Sequence, residues 1–214
     1  MFLIPRLNRL IPGLAIVTMV MLGLIAWSTS ATARGRREPV FATSADDPVL
    51  RSRIANLGPN VDPKEAQLVG SCAYITGREL KREWGVVWPP GVMNFLVNTG
   101  ARKGGLCFQF ATELLHRLEG LKLETLDLHW AESFERTVAE HNVIVVTAKG
   151  QPFEQGIILD NWRYGGRLVW GVVTDDPHYD WKENKAEFAR RLKMRYSERA
   201  YEAAANKSSD QTTR

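Results

Sequence analysis

The sequence predicts an α+β fold, with N-terminal helices and a cysteine-bearing helix packed on an antiparallel sheet and a C-terminal helix closing the chain. Three observations lead there. Up to about residue 118, apolar residues recur at three- and four-residue steps behind helix-start signals. Beyond residue 120 the period changes to alternation and β-branched runs. Those runs follow one another through short glycine-containing turns, which join antiparallel neighbours.

The elements follow in order. Arg6 and Arg9 precede an uncharged run from Leu10 to Trp27, and Ala31-Thr32-Ala33 closes it before Arg34. A basic start, an apolar middle and an A-x-A site are the layout of a secretory signal. The run is a little long for a cleaved signal and slightly short for a membrane span. Residues 1–33 are therefore read as a signal peptide or as an uncleaved N-terminal membrane anchor. Either reading exports the domain, to the periplasm or to the membrane surface. Residues 34–48 are polar and read as a flexible tether. Residues 49–205 form the folded domain, and residues 206–214 a disordered tail.

Inside the domain, Val49 to Leu57 predicts a short helix ending at Gly58-Pro59. Asp62-Pro63-Lys64-Glu65 predicts a helix start, with Asp62 capping, Pro63 in the first position and Glu65 returning a hydrogen bond. That helix runs to about Trp84, burying Ala66, Val69, Cys72, Ala73 and Leu80, with Gly77 as an internal irregularity. A short helix follows from Gly91 to Val97. Cys107, Phe110, Ala111, Leu114, Leu115 and Leu118 share one face of the next helix. Leu121 to Ala131 alternates and predicts a strand, His141 to Thr147 a buried central strand, Gly156 to Asp160 a third and Leu168 to Val173 a fourth. Trp181 to Ala205 predicts a long charged helix.

Composition narrows the function. Net charge is +4, and removing residues 1–33 leaves 26 basic against 24 acidic residues. A near-neutral domain gives no electrostatic reason to expect nucleic acid as a partner. Two cysteines, Cys72 and Cys107, exclude a multiply stapled scaffold. No His/Cys spacing suits zinc and no glycine loop suits a nucleotide, so neither metal nor cofactor is expected.

The chemistry gathers at Gly104-Gly105-Leu106-Cys107. Paired glycines before a helix leave room for a ligand. A thiol in the first turn meets unpaired N–H groups and the positive end of the helix dipole, a setting that favours a nucleophile. A nucleophile needs a base, and the base needs an orienting group. His116 sits more than two turns further along the same helix and is out of reach. His178 lies in a polar stretch, and His129 in the polar phase of a strand. His141 opens the most apolar strand, and Asp160 ends the next one, so adjacent antiparallel strands in agreeing register bring the two together. Trp162 then lies where an indole shields their hydrogen bond from water.

Cys107 at a helix start, His141 on a strand and Asp160 on the following strand resemble the transglutaminase-like branch of the papain-like superfamily. Gly156-Ile157-Ile158-Leu159-Asp160-Asn161-Trp162 most resembles the bacterial transglutaminase-like cysteine proteinases, although these carry acidic residues where this chain has Phe108 and Gln109. Gly104-Gly105-Leu106-Cys107-Phe108-Gln109 is similar to the Gly-Gly-x-Cys-Phe-Glu stretch of arylamine N-acetyltransferases, which share that core. The resemblance implies a cysteine hydrolase or acyltransferase that attacks a peptide or protein amide in the cell envelope and passes through an acyl-enzyme. Cys107 would be the nucleophile, His141 the general base and acid, and Asp160 the group fixing the imidazole tautomer. The N–H of Cys107 would be one oxyanion donor, and both Trp88 and Gln67 qualify as an upstream second. Competing readings are a Cys72–Cys107 disulfide, His129 as the base, a non-catalytic envelope scaffold that keeps the fold, and a small acyl-group transferase.

Overall fold

The computed structural model describes residues 37–197. The predicted signal or anchor and the predicted tail lie outside the described residues. Among the described residues no helix is long and apolar enough to cross a membrane.

The chain is α+β. Among the described residues four helices precede most of the sheet: α1 (Pro48–Ala55), α2 (Pro63–Glu83), α3 (Pro90–Asn98) and α4 (Cys107–Glu119). The strands are β1 (Val40–Phe41), β2 (Leu126–Ser133), β3 (His141–Ala148), β4 (Ile157–Asp160), β5 (Val169–Val172) and β6 (Lys182–Glu183). They form one sheet in the order β1-β5-β4-β3-β2-β6 with antiparallel neighbours throughout. A helix over residues 185–197 (α5) follows β6.

Both faces of β3 are covered, which explains its unbroken apolar run. Ile144 and Val146 join Leu50, Val69, Leu114 and Leu118 in the core between helices and sheet. Val143 and Val145 point to the other face and pack with Ala131, Phe153, Ile158 and Trp181. A fully buried aliphatic side chain contributes roughly 1.5–3 kcal/mol. This two-sided burial makes β3 a stiff support for the residue at its mouth, His141.

Helix starts follow their local chemistry. Asp47 accepts from the N–H groups of Val49 and Leu50 and caps α1, and Asp62 accepts from Lys64 and caps α2. The predicted return bond from Glu65 is not made. Glu65 instead accepts from the N–H groups of Glu124 and Thr125 and from the Thr125 hydroxyl, tying α2 to the chain just before β2.

Three further expectations are corrected. The tether is not wholly a tether, because Val40–Phe41 pairs with β5 and Thr43 binds the Asp47 carboxylate. The strand after α4 begins at Leu126, since Leu121 and Leu123 lie in a turn where Lys122 has φ +54°. Trp181 does not open a helix: Lys182–Glu183 pairs with β2, and Asn184 accepts from the N–H of Glu187 as the cap of α5.

Candidate active site

Cys107 is the first residue of α4, in the position the spacing predicts. The Gln109 side chain folds back to accept from the N–H groups of Gly105 and Leu106, and the Gln109 and Phe110 N–H groups turn to the Leu106 carbonyl. The N–H groups of Cys107 and Phe108 belong to the first turn, where a helix offers no internal acceptor. The glycines serve packing rather than ligand access. A Cβ on Gly104 would lie 2.7 Å from the Trp84 indole, and one on Gly105, where φ is +133°, 2.5 Å from Met93. Those contacts fix the turn that delivers the cysteine. Cys107 is half-buried, and neither it nor Cys72 is in a disulfide, which removes the bridged reading.

The register of β3 and β4 pairs Ile144 with Leu159, so the start of β3 and the end of β4 share one edge of the sheet. That brings His141 Nε2 to 2.8 Å from Asp160 Oδ2. Both side chains are about 1% exposed. Asp160 also accepts from the Trp162 and Arg163 N–H groups at Oδ1 and from Arg163 Nε at Oδ2. Burial opposes its ionisation, but the charge and hydrogen bond of His141, with Arg163, hold it well below the usual carboxylate range. An ionised Asp160 cannot donate, so the Nε2–H of His141 donates to it in either charge state of the ring, and Nδ1 is the nitrogen that takes up or gives a proton.

Nδ1 is buried and has no hydrogen-bond partner of acceptable geometry, while Cys107 Sγ donates to the Glu140 carbonyl at 3.6 Å. The thiol is nonetheless close enough to act on the ring. Burial pushes the imidazolium down, and the Asp160 charge and hydrogen bond, with smaller contributions of both kinds from Cys107, lift His141 to about 9. Nδ1 of His141 is thus the ring nitrogen left without a partner, and Cys107 is among the groups that act on the ring.

Three aromatic rings enclose the imidazole: Trp162 at 4.6 Å between centroids, Tyr179 at 4.9 Å and Trp181 at 5.3 Å. Trp162 is the nearest of the three to the imidazole. Tyr179, Trp181, Arg163 and Asp176 are the members sequence reasoning missed. Arg163 bridges Asp160 to Asp176, reaching Asp176 Oδ2 at 2.6 Å, and Trp181 Nε1 donates to the same oxygen at 3.1 Å. The Arg163 guanidinium lies 4.5 Å from the Tyr179 ring centre. Asp175-Asp176-Pro177-His178 reads as surface, and nothing in a single sequence marks Asp176 as 1% exposed.

Gln67 is excluded as an oxyanion donor. It is exposed on the first turns of α2, next to Glu65, which anchors that end of the helix near the start of β2. The start of α4, which carries Cys107, meets the other end of α2, where Trp84 packs on Phe110 and on Gly104. Seventeen positions at 1.5 Å rise separate Gln67 from Trp84, about 25 Å along the axis. Trp88 is near the site but 65% exposed, lining a surface depression with Arg163 and Tyr179. His129 is engaged by Glu183 at 2.7 Å and Thr147 at 2.9 Å. It sits beside a depression of about 510 Å³ lined by Leu118, Lys122 and Phe188, four positions along β2 from Ser133, which pairs with His141. Among the described residues no cysteine, serine or threonine lines that depression, so we place the site at Cys107. His116 bonds the Arg191 carbonyl, and His178 is exposed beside Glu38. Cys72 is half-buried in the core, and burial pushes its thiol up.

Comparison with protein-family models, with curated proteins and with solved structures finds no match. The chemistry therefore rests on the geometry of these side chains.

Proposed function

We propose that the chain is a cysteine hydrolase or acyltransferase of the transglutaminase-like kind, acting on a peptide or protein amide through Cys107, His141 and Asp160. The observation that carries this is the polarised imidazole: Nε2 tied to Asp160 at 2.8 Å, Nδ1 left without a bond, and the unbridged Cys107 among the groups that act on the ring. The helix–strand–strand order and the antiparallel sheet support the family reading.

In the reaction, Nδ1 takes the thiol proton and the sulfur adds to the amide carbonyl. The oxyanion is received by the first-turn N–H groups of Cys107 and Phe108. The imidazolium then gives its proton to the leaving amine as the C–N bond breaks. Water or a second amine resolves the thioester by the reverse steps. Asp160 stays ionised throughout and stabilises the imidazolium. The basic, apolar and small-residue order of residues 1–33 supports export, so the substrate belongs to the cell envelope.

Iodoacetamide at neutral pH is the test. Cys107 should alkylate well ahead of Cys72, and His141→Ala should slow Cys107 at least roughly tenfold, since the base then no longer takes its proton. Equal Cys107 rates in the two proteins would remove the triad. The contact of Sγ with the Glu140 carbonyl favours a second reading, a scaffold that keeps the fold with its thiol occupied. That reading expects Cys107→Ser to leave function in the cell intact.

A further inference from the structure

We propose that the aromatic depression beside Tyr179 is the subsite for the leaving-group side of the substrate, and that it takes a large apolar side chain. The inference rests on the acyl-enzyme reading above and names the substrate class for it.

The exposed rings of Trp88 and Phe134 line the depression, on segments that carry further exposed apolar residues. Val87, Trp88, Val92 and Phe95 belong to the segment leading into and along α3, and Phe134 and Val138 to the loop between β2 and β3. Trp88 and Phe134 line one depression of about 400 Å³ with Tyr164 and Tyr179. Contiguous exposed aromatic surface on a monomer marks a binding site. Phe134 is 51% exposed and has φ +55°, a backbone state that costs a non-glycine residue about 1 kcal/mol or more. The Thr137 N–H and hydroxyl both donate to the Phe134 carbonyl and hold that turn. The ring so presented lies 5.9 Å from Tyr179.

Tyr179 joins the depression to the chemistry, because it also packs 4.9 Å from His141. His141 hands its proton to the departing amine, so the depression, one ring away from the imidazole through Tyr179, lies on the side of the amine half of the substrate. The charges fit an apolar occupant. Among the described residues no acidic side chain lines the depression, Arg163 is committed to Asp160 and Asp176, and His178 is paired with Glu38. An ammonium side chain would have to compete with His178 for Glu38. The groove on the Phe108 side, by contrast, is lined by Glu132, Glu140 and Glu187 with Arg190 and Arg191.

Acyl transfer from p-nitrophenyl acetate to amino-acid amides tests this with defined probes. Cys107 sulfur adds to the ester carbonyl, the C–O bond breaks, and nitrophenolate leaves with its electron pair. The acceptor nitrogen then adds to the thioester carbonyl, the C–S bond breaks, the sulfur regains its pair, and the nitrogen's proton passes to Nδ1 of His141. By microscopic reversibility the acceptor amine occupies the leaving-group side. The ratio of N-acetyl amide to acetate is read by chromatography, so each enzyme is its own reference. Leucinamide and phenylalaninamide should capture the acetyl group at least roughly tenfold better than glycinamide and lysinamide, as expected when an apolar pocket is filled. Trp88→Ala and Phe134→Ala should each cut that preference to under about threefold, while Phe95→Ala, outside the depression, keeps it. A nitrophenolate burst with equal capture of all four amides overturns the subsite alone. The lack of any burst in the unsubstituted protein overturns the acyl-enzyme and the subsite with it. If the patch serves a second copy of the chain instead, Trp88→Ala changes sedimentation and not the capture ratio, and the proposal falls.

Discussion

A carboxylate as buried as Asp160 is tolerated because four donors converge on it: His141 Nε2, Arg163 Nε, and the N–H groups of Trp162 and Arg163. Two consequences follow for the imidazole. The first concerns turnover. Asp160→Asn removes the charge that offsets burial, so the His141 pKa should fall from about 9 to below its ordinary 6.5. Esterase turnover should fall by roughly 10²–10⁴-fold, the usual cost of a mis-set acid–base group. Measuring kcat against pH checks both, because the alkaline limb near pH 9 should disappear. The second concerns stability. A folded-state pKa raised from 6.5 to about 9 gives stabilisation that is full below pH 6.5 and is lost as pH rises through 9. The loss is about 3 kcal/mol. Urea unfolding at pH 6 and pH 9.5 should show it in the native sequence. In Asp160→Asn the sign should reverse, since a buried imidazole with a depressed pKa resists protonation and costs stability as pH falls. Asp160 itself has a depressed pKa, so its share is present above the unfolded value near 3.8 and is lost in acid.

At the scale of elements, Gly77 shows where sequence signals and packing part. Inside α2 it reads as a weak point, because glycine costs a helix about 1 kcal/mol against alanine. In the fold, a Cβ there would meet Asn161 Oδ1 at 2.5 Å and the Gly166 carbonyl at 2.8 Å, so the turn between β4 and β5 docks on bare helix backbone. Asn161 then donates to the Ala73 carbonyl at 3.1 Å. Gly77→Ala should therefore destabilise by about 1–3 kcal/mol, the cost of overpacking, despite the helix preference. Gly91, near the start of α3, has nothing within 4 Å of its would-be Cβ and should gain about 0.5–1 kcal/mol as alanine. Chemical denaturation of the two variants should give opposite signs. The same parting governs what was legible. Helix faces, the β3 run and the His141–Asp160 pairing were readable because periodicity and short antiparallel connections are local. Arg163 and Asp176 were not, because their burial depends on meeting across 13 positions. The α5 start was legible in principle: Asn184 followed three residues later by Glu187 is a capping signal, outweighed in the reading by the charged run around it. Leu121 and Leu123 alternate as strand residues do, yet Lys122 takes φ +54°, which ends any extended run there.

Across the whole molecule, the sheet edge that carries His141 and Asp160 depends on how the sheet is closed at its far side. Asp160 pairs with Val169 on β5, and Val169 pairs with Phe41 on β1. β1 is only two residues long, but its neighbours reinforce it. Arg37 N–H reaches the Asp175 carbonyl, Ala42 N–H reaches the Leu168 carbonyl, and Thr43 binds the Asp47 carboxylate that caps α1. Phe41 packs edge-on at 4.8 Å from Tyr164 and lies under the Arg167 guanidinium at 4.1 Å. A polar composition made this segment read as tether, yet a handful of backbone bonds and one aromatic ring suffice to bind an edge. A chain beginning at Ala45 should therefore be less stable than one beginning at Arg37, by about 2–3 kcal/mol for the lost hydrogen bonds and the uncovered Phe41 site. For a domain of this size that lowers the melting temperature by roughly 4–12 °C. The shorter chain also leaves the N–H and C=O groups of β5 unpaired, so it should associate as concentration rises, read by size-exclusion chromatography. Because β5 backs β4, the same truncation should loosen Asp160 and narrow the gap in iodoacetamide labelling between the His141-containing chain and its His141→Ala variant. If the two chains melt together and elute alike, residues 37–44 are tether after all, and the support of Asp160 ends at β5.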